Sequence, residues 1–308
     1  MADVINTLSQ INYEAQNDTA AFISAAEERY SFALDCVIER IINNKCVEIV
    51  LLAGPSCSGK TTTANKLRER LADKGHKAYT ISLDDFYRNS TDAIIGDDGK
   101  PDFETVHALD LDLLEKVLKK LVKERTAKIP HFDFDTGIRT DNAFEITLDE
   151  GDVVILEGLH ALNPIIYGYL PAEALLKIYI SVSTRIYDDS GYVILTKRDL
   201  RLIRRTVRDY HSRSSSVENT FDMWDGVLEG ENKYLAPYKY CADILIDTIH
   251  NYEPCVFKSR ALELFKTVEP DSVWFAETQR LTEKLVLFSD IAEEKVPRSS
   301  LLICEFLG

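Results

Sequence analysis

Gly54-Pro55-Ser56-Cys57-Ser58-Gly59-Lys60-Thr61 fits the spacing G-x-x-x-x-G-K-[ST] at every fixed position. A loop of this kind between a strand and a helix turns its backbone N–H groups inward around a phosphate. Its glycines let the backbone approach closely, and the start of the next helix adds the positive end of its dipole. In that arrangement Lys60 reaches the β- and γ-phosphates and the Thr61 hydroxyl ligates Mg²⁺. Gly54, Pro55, Ser56, Cys57, Ser58, Gly59, Lys60, Thr61 and Thr62 are therefore the candidate nucleotide-binding residues. The competing reading, a glycine turn with an exposed lysine, fits the context less well. The motif follows a buried-strand pattern and opens a helical one.

Two acid-tipped strands could serve such a cradle. Val153-Val154-Ile155-Leu156-Glu157-Gly158 ends in a carboxylate that would hold Mg²⁺ with Thr61. Ile81-Ser82-Leu83-Asp84-Asp85-Phe86-Tyr87 ends in two. Ligands of open α/β sheets bind at the carboxyl ends of strands, so an acid there could take the proton of an attacking hydroxyl. Asp84 is the favoured base and a third candidate Mg²⁺ contact, Asp85 its competitor. A different signal comes from residues 197–213, with seven Lys and Arg in 17 positions. Such runs are commonly solvated helix faces, but transferring phosphoryl groups need cations, and a mobile segment could bring them. No NKxD-type base reader appears, which argues against a GTPase, and no run of motor-type motifs suggests a helicase.

The elements that must position these groups are legible as periodicities. Residues 19–44 repeat apolar positions at helical spacing, and Val47–Ala53 reads as a strand buried on both faces. Helices are expected at 60–74, 108–123, 200–210, 256–267 and 273–288. Strands are expected at 77–83, 153–156, 177–182 and 242–246, and residues 128–134 and 143–148 could form a hairpin. Strands alternating with helices predict a parallel sheet covered on both faces.

Composition sets outer bounds. The chain has 308 residues, 45% hydrophobic and 28% charged, which excludes disorder as the dominant state and allows a sizeable core. The net charge of −15 gives no electrostatic reason to coat nucleic acid or anionic membrane. Six cysteines without a CxxC pair read as reduced thiols, and the N-terminus lacks a basic, then apolar, leader pattern. No segment approaches a membrane span. The expectation is a cytoplasmic protein with no nucleic-acid or membrane partner, its oligomeric state left open.

Taken together, these motifs resemble the uridine kinase and phosphoribulokinase family of P-loop kinases. The matching segments are GPSCSGKTTTANKL, ISLDDFYRN, PDFETVHALDLDLL, IPHFDFDTGIRT, DVVILEGLHALNP, RLIRRTVRDYHSR and KYCADILID, in the family's order, across roughly residues 47–250. The flanking helices and the ending VPRSSLLICEFLG are similar to a longer bacterial uridine kinase-like subgroup, without its N-terminal synthetase-like region. The resemblance implies an α/β, three-layer P-loop NTPase fold of the nucleoside-monophosphate-kinase type. It implies a helical N-terminal extension (1–46), a kinase domain (47–250) with a lid at about 197–216, and a C-terminal helical cap (251–308).

The implied activity is transfer of the γ-phosphoryl group of ATP, with Mg²⁺, to a hydroxyl of a small metabolite. Asp84 falls on the family's catalytic acid and Glu157 on its Mg²⁺-associated acid. Arg208 and Arg213 fall on phosphate-touching lid arginines, and Glu104 near the acid that holds sugar hydroxyls. His107, Phe132 and Arg139 complete the candidate acceptor site. Uridine kinases carry a Tyr and a His that touch the pyrimidine; here these positions are Phe132 and Gly137, and a further lid arginine is Ser215. The transfer machinery is present while the base reader is altered, so uridine is expected to be a poor acceptor. The alternative is a nucleotide-binding regulatory protein that has lost its acceptor.

Overall fold

The computed structural model describes residues 5–92, 94–95, 102, 104–134 and 136–308. Pro101, Phe103 and Asp135, which belong to two of the family-like segments, lie outside the described residues.

Two helices come first, α1 (Leu8–Asn17) and α2 (Thr19–Asn43). Asp18 caps α2 by accepting the Ala21 N–H. The alternation then runs β1 (Ile49–Ala53), α3 (Lys60–Asp73), β2 (Ala78–Ser82), α4 (Leu111–Glu124), the hairpin β3 (Thr126–Asp133) and β4 (Ile138–Thr147), and β5 (Val153–Glu157). It continues through a short α5 (Pro164–Tyr167), β6 (Leu175–Ser181), the small hairpin β7 (Ile186–Tyr187) and β8 (Val193–Leu195), α6 (Lys197–Arg213) and α7 (Val217–Tyr234). β9 (Ile244–Asp247), α8 (Glu253–Phe265) and α9 (Phe275–Leu285) follow, then a single π turn at Ile303–Leu307.

The sheet has five parallel strands in the order β2-β5-β1-β6-β9. Every residue of β1 and β5 is buried, as expected for strands covered on both faces. Register does the positioning: Glu157 lies level with Leu52 on one side and Ser82 on the other. The tips of β1, β2 and β5 therefore open at one edge, so the loop after β1, the acid of β5 and the acids after β2 converge.

One apolar cluster covers one face of the sheet and joins α2, α3, α6, α8 and the terminal residues Leu301, Leu302, Phe306 and Leu307. A second covers the other face with α4, the hairpin and Phe86. The segments expected as extension, kinase domain and cap thus share one core cluster. α1, α7 and the β7–β8 hairpin went unread in the sequence.

The basic segment forms a helix, but it is not the solvated face that charge alone suggests. Arg201, Arg204 and Arg205 are buried with Leu202, Ile203 and Val207, whereas residues 210–214 are exposed. Its start is a capping box, with Thr196 and Asp199 bonded reciprocally. Asp199 is also held by Arg280 and Lys284 of α9, at 2.6 and 3.3 Å. Most of α6 is packed into the core, and residues 210–214 are its exposed end.

Candidate active site

The β1–α3 loop, residues 54–59, leads from the buried end of β1 into the start of α3. Gly59 adopts a left-handed φ of +88°, which a side chain would strain, and a Cβ there would meet Leu301 Cδ1 at 2.4 Å. Cys57 also adopts a positive φ, of 57°. The buried Ser58 hydroxyl has no hydrogen-bond partner among the described residues. Lys60 Nζ donates to the Gly54 and Pro55 carbonyls at 2.9 and 3.2 Å, which holds the ammonium across the loop.

The Ser56 N–H donates to Glu231 of α7 at 2.7 Å, and Arg201 holds Glu231 with two bonds of 2.7 and 2.8 Å. Arg205 donates to the Ser56 hydroxyl at 2.9 Å. The buried arginines of α6 thus brace the loop from behind. Arg204 does so too, bonding the Cys57 carbonyl at 3.2 Å while paired with fully buried Glu253 at 2.5 Å. No local sequence signal marks Glu231 or Arg201 for this task, because their partners lie more than 140 residues away.

The acids gather as their strand tips dictate. Thr61 Oγ1 and Ser82 Oγ both donate to Glu157 Oε1, at 3.3 and 3.2 Å. Burial pushes the Glu157 carboxyl up to about 7; nearby Lys60 opposes this and Asp84 adds to it. Asp84 reaches water but lies deep in the cleft, and this desolvation raises its carboxyl, with Lys60 pulling down, Asp85 pushing up and Arg213 pulling down. Among the described residues no group of three His, Cys, Asp or Glu could hold a metal by itself. A hydroxyl beside a single carboxylate suits Mg²⁺, which keeps waters and takes its remaining oxygens from phosphates.

The two neighbouring acids separate clearly. Asp85 Oδ1 is 2.9 Å from His131 Nδ1 and accepts the Phe132 N–H at 3.3 Å, so it fastens the hairpin. Asp84 carries no side-chain ion pair among the described residues and faces Lys60 and Arg213. Arg208 and Arg213 both turn to Asp209, at 2.7 and 3.7 Å. Arg213 is the exposed one and senses Asp84.

The expected acceptor residues divide as well. Phe132 is buried against Tyr87 and Phe134, with ring centroids 5.6 and 5.0 Å away, and Phe134 is 66% exposed. Glu104 enters the cleft, its carboxyl raised by burial and by Glu231, with Arg205 opposing. His107 is exposed. Arg139 is committed elsewhere: it pairs with Asp110 at 3.0 Å and Asp141 at 2.8 Å and donates to the Tyr87 carbonyl at 3.3 Å. That set of partners ties it to the hairpin and to the segment after β2.

Sequence reasoning missed Tyr87, which packs on Phe132 and Phe134, and His160, which lies near Glu104. Burial lowers the His160 imidazole to about 4, and its ring packs edge-on against Tyr234 at 5.9 Å. Tyr234 in turn donates to Asp102 at 3.2 Å.

A family model described as "Phosphoribulokinase / Uridine kinase family" matches residues 49–253. A uridine kinase of Macrococcus caseolyticus is 31% identical over 199 residues, 64% of this chain and 86% of that one. One from Staphylococcus aureus is 29% identical over 206 residues, 66% of this chain and 88% of that one. Among solved structures, a possible uridine kinase from Bacillus stearothermophilus is similar at 16% identity and a TM-score of 0.47, covering 70% of this chain and 98% of that one.

Proposed function

The chain belongs to the phosphoribulokinase and uridine kinase family, a phosphotransferase acting on a hydroxyl, and on that premise we propose that it uses ATP with Mg²⁺. The β- and γ-phosphates would lie in the loop 54–62, with Mg²⁺ held by Thr61 and Glu157. A divalent cation would keep the Glu157 carboxyl ionised despite its burial. Lys60 and Arg213 neutralise charge on the transferring group, and Asp84 orients the acceptor hydroxyl and takes its proton. The lid, at about residues 197–216, would move chiefly at its exposed end, residues 210–214.

The observation that carries this reading is the sorting of Asp84 from Asp85. One carboxylate faces the cations of the cradle, while its neighbour is spent on the hairpin.

The acceptor is a nucleoside or sugar-type metabolite held against Tyr87, Phe132 and Phe134, with Glu104 reading hydroxyls. Phe132 offers no polar atom to a pyrimidine edge, and a site that lacks the hydrogen bond discriminates weakly for that base. Uridine and cytidine should therefore be inferior to another hydroxyl compound. The test is a transfer screen with labelled ATP over nucleosides, sugars and sugar phosphates, comparing kcat/KM. A best value for uridine or cytidine, at about 10⁴ M⁻¹s⁻¹ or above, would overturn the acceptor assignment.

A further inference from the structure

The last residues of the chain lie outside the family-matched segment, yet they reach the phosphate loop. Leu301, Leu302, Phe306 and Leu307 are buried. Phe306 rests under the Arg204 guanidinium at 5.0 Å and edge-on to Phe257 at 6.4 Å. Arg260 Nη1 donates to the Leu307 carbonyl at 2.7 Å, and Ser300 Oγ donates to Glu27 of α2 at 2.6 Å. Leu301 presses on Gly59 itself.

Fixed at both ends, this turn presents Glu305 to the start of α3. Glu305 Oε2 accepts from the Thr62 hydroxyl at 2.7 Å and from the Thr62 N–H at 3.4 Å. Thr62 is the third residue of α3, so its N–H has no partner within the helix. It is one of the donors a phosphate takes at a helix start.

We propose that Glu305 gates nucleotide binding: its carboxylate holds the Thr62 donors, and a nucleotide phosphate must displace it. This rests on reading the loop 54–62 as a nucleotide cradle. A carboxylate and a phosphate compete for the same donors and for the same positive helix end, and two anions there repel. The charge of Glu305 also adds to the negative field at Glu157 and favours the charged form of Arg208. Glu305 is only partly buried while its neighbours are the anchors. Rotation of one side chain therefore frees Thr62 without undocking the terminus. The device sets a nucleotide threshold and is not an absolute block. A gate closed nine-tenths of the time weakens apparent affinity about tenfold.

Calorimetric titration of the full chain with ADP and with adenosine tests this, using the parent, Glu305→Gln and Glu305→Ala. Both variants are expected to bind ADP about five- to tenfold more tightly, with adenosine affinity changed by less than about twofold. Unchanged or weaker ADP binding by folded variants would overturn the gate. An equal gain for adenosine would overturn it too, since that result indicates a steric plug with no phosphate competition. ADP binding by none of the three proteins would overturn the cradle reading, and the gate with it.

Discussion

The proposed phosphate cradle and the proposed acceptor wall are built differently. The cradle is backbone on buried strands: nine consecutive residues after β1, held from behind by Arg201, Arg204 and Arg205. The wall is side chains from four separate stretches: Tyr87 after β2, Glu104, Phe132 of the hairpin, and α7, where Gly230 abuts Glu104 and Glu231 adds its charge. The strand beside Phe132 is mostly exposed. A backbone cradle tolerates little change, because its donors cannot be replaced by another side chain. A wall of side chains alters its ligand with one substitution, and Phe132 and Gly137 are the positions proposed to do so.

The sharpest test of the cradle is Lys60→Ala. Turnover should fall about 10³-fold, since the ammonium serves charge neutralisation. Its bonds are to loop carbonyls, so the melting temperature should move by only a few degrees. Retained turnover in a folded variant would remove Lys60 from the site.

The two acids supply the next contrast. Asp84→Asn should lower kcat by roughly 10²-fold with the ATP KM little changed. Asp85→Asn weakens the ties to His131 and Phe132, and should mainly raise the acceptor KM. The reverse pattern in steady-state kinetics would exchange their roles.

Glu157 gives a prediction in pH. Its carboxyl lies at about 7 in the folded protein, against 4.5 as its ordinary value. Below pH ~4.5 both folded and unfolded states hold the proton, and the contribution is complete. As pH rises toward 7 only the folded state holds it, so unfolding releases a proton and stability declines, levelling off above pH ~7. In Mg²⁺-free buffer, Glu157→Gln should abolish this decline and stabilise the protein at pH 8 by on the order of 2–3 kcal/mol, while impairing Mg²⁺-dependent turnover. A parent melting curve flat between pH 5 and 8 would contradict the shift.

The smallest expected effects belong to the wall. Phe132→Tyr should cost less than about 1.5 kcal/mol and improve kcat/KM for uridine a few-fold. Restoring a histidine at 137 is different. Gly137 has φ +67°, and a Cβ there would meet Ser90 Oγ at 2.2 Å. Gly137→His should therefore destabilise by about 1–3 kcal/mol in a denaturant titration and gain no base recognition. Equal stability would show that the turn relaxes freely.

What the sequence determined by itself was whatever lies within a few residues of itself. The loop 54–62, the acid tips at Asp84 and Glu157, and the apolar runs of β1 and β5 are local patterns, because a parallel strand buried on both faces must be apolar throughout. Seven basic residues in α6 were equally visible, but charge count does not say which way a helix faces. Only tertiary packing turned Arg201, Arg204 and Arg205 inward to Glu231, Glu253 and the loop carbonyls, and placed Asp209 among Arg205, Arg208 and Arg213. The same holds for Arg139, whose place in a family-like segment suggests a ligand contact and whose partners Asp110 and Asp141 only the tertiary structure brings to it. Glu305 is the clearest case. It lies 243 positions from Thr62 along the chain, and they meet only because the anchors at Leu301, Phe306 and Leu307 close the core around α3. Contacts between segments so far apart are fixed by the packing of the whole core, which no local window of sequence contains.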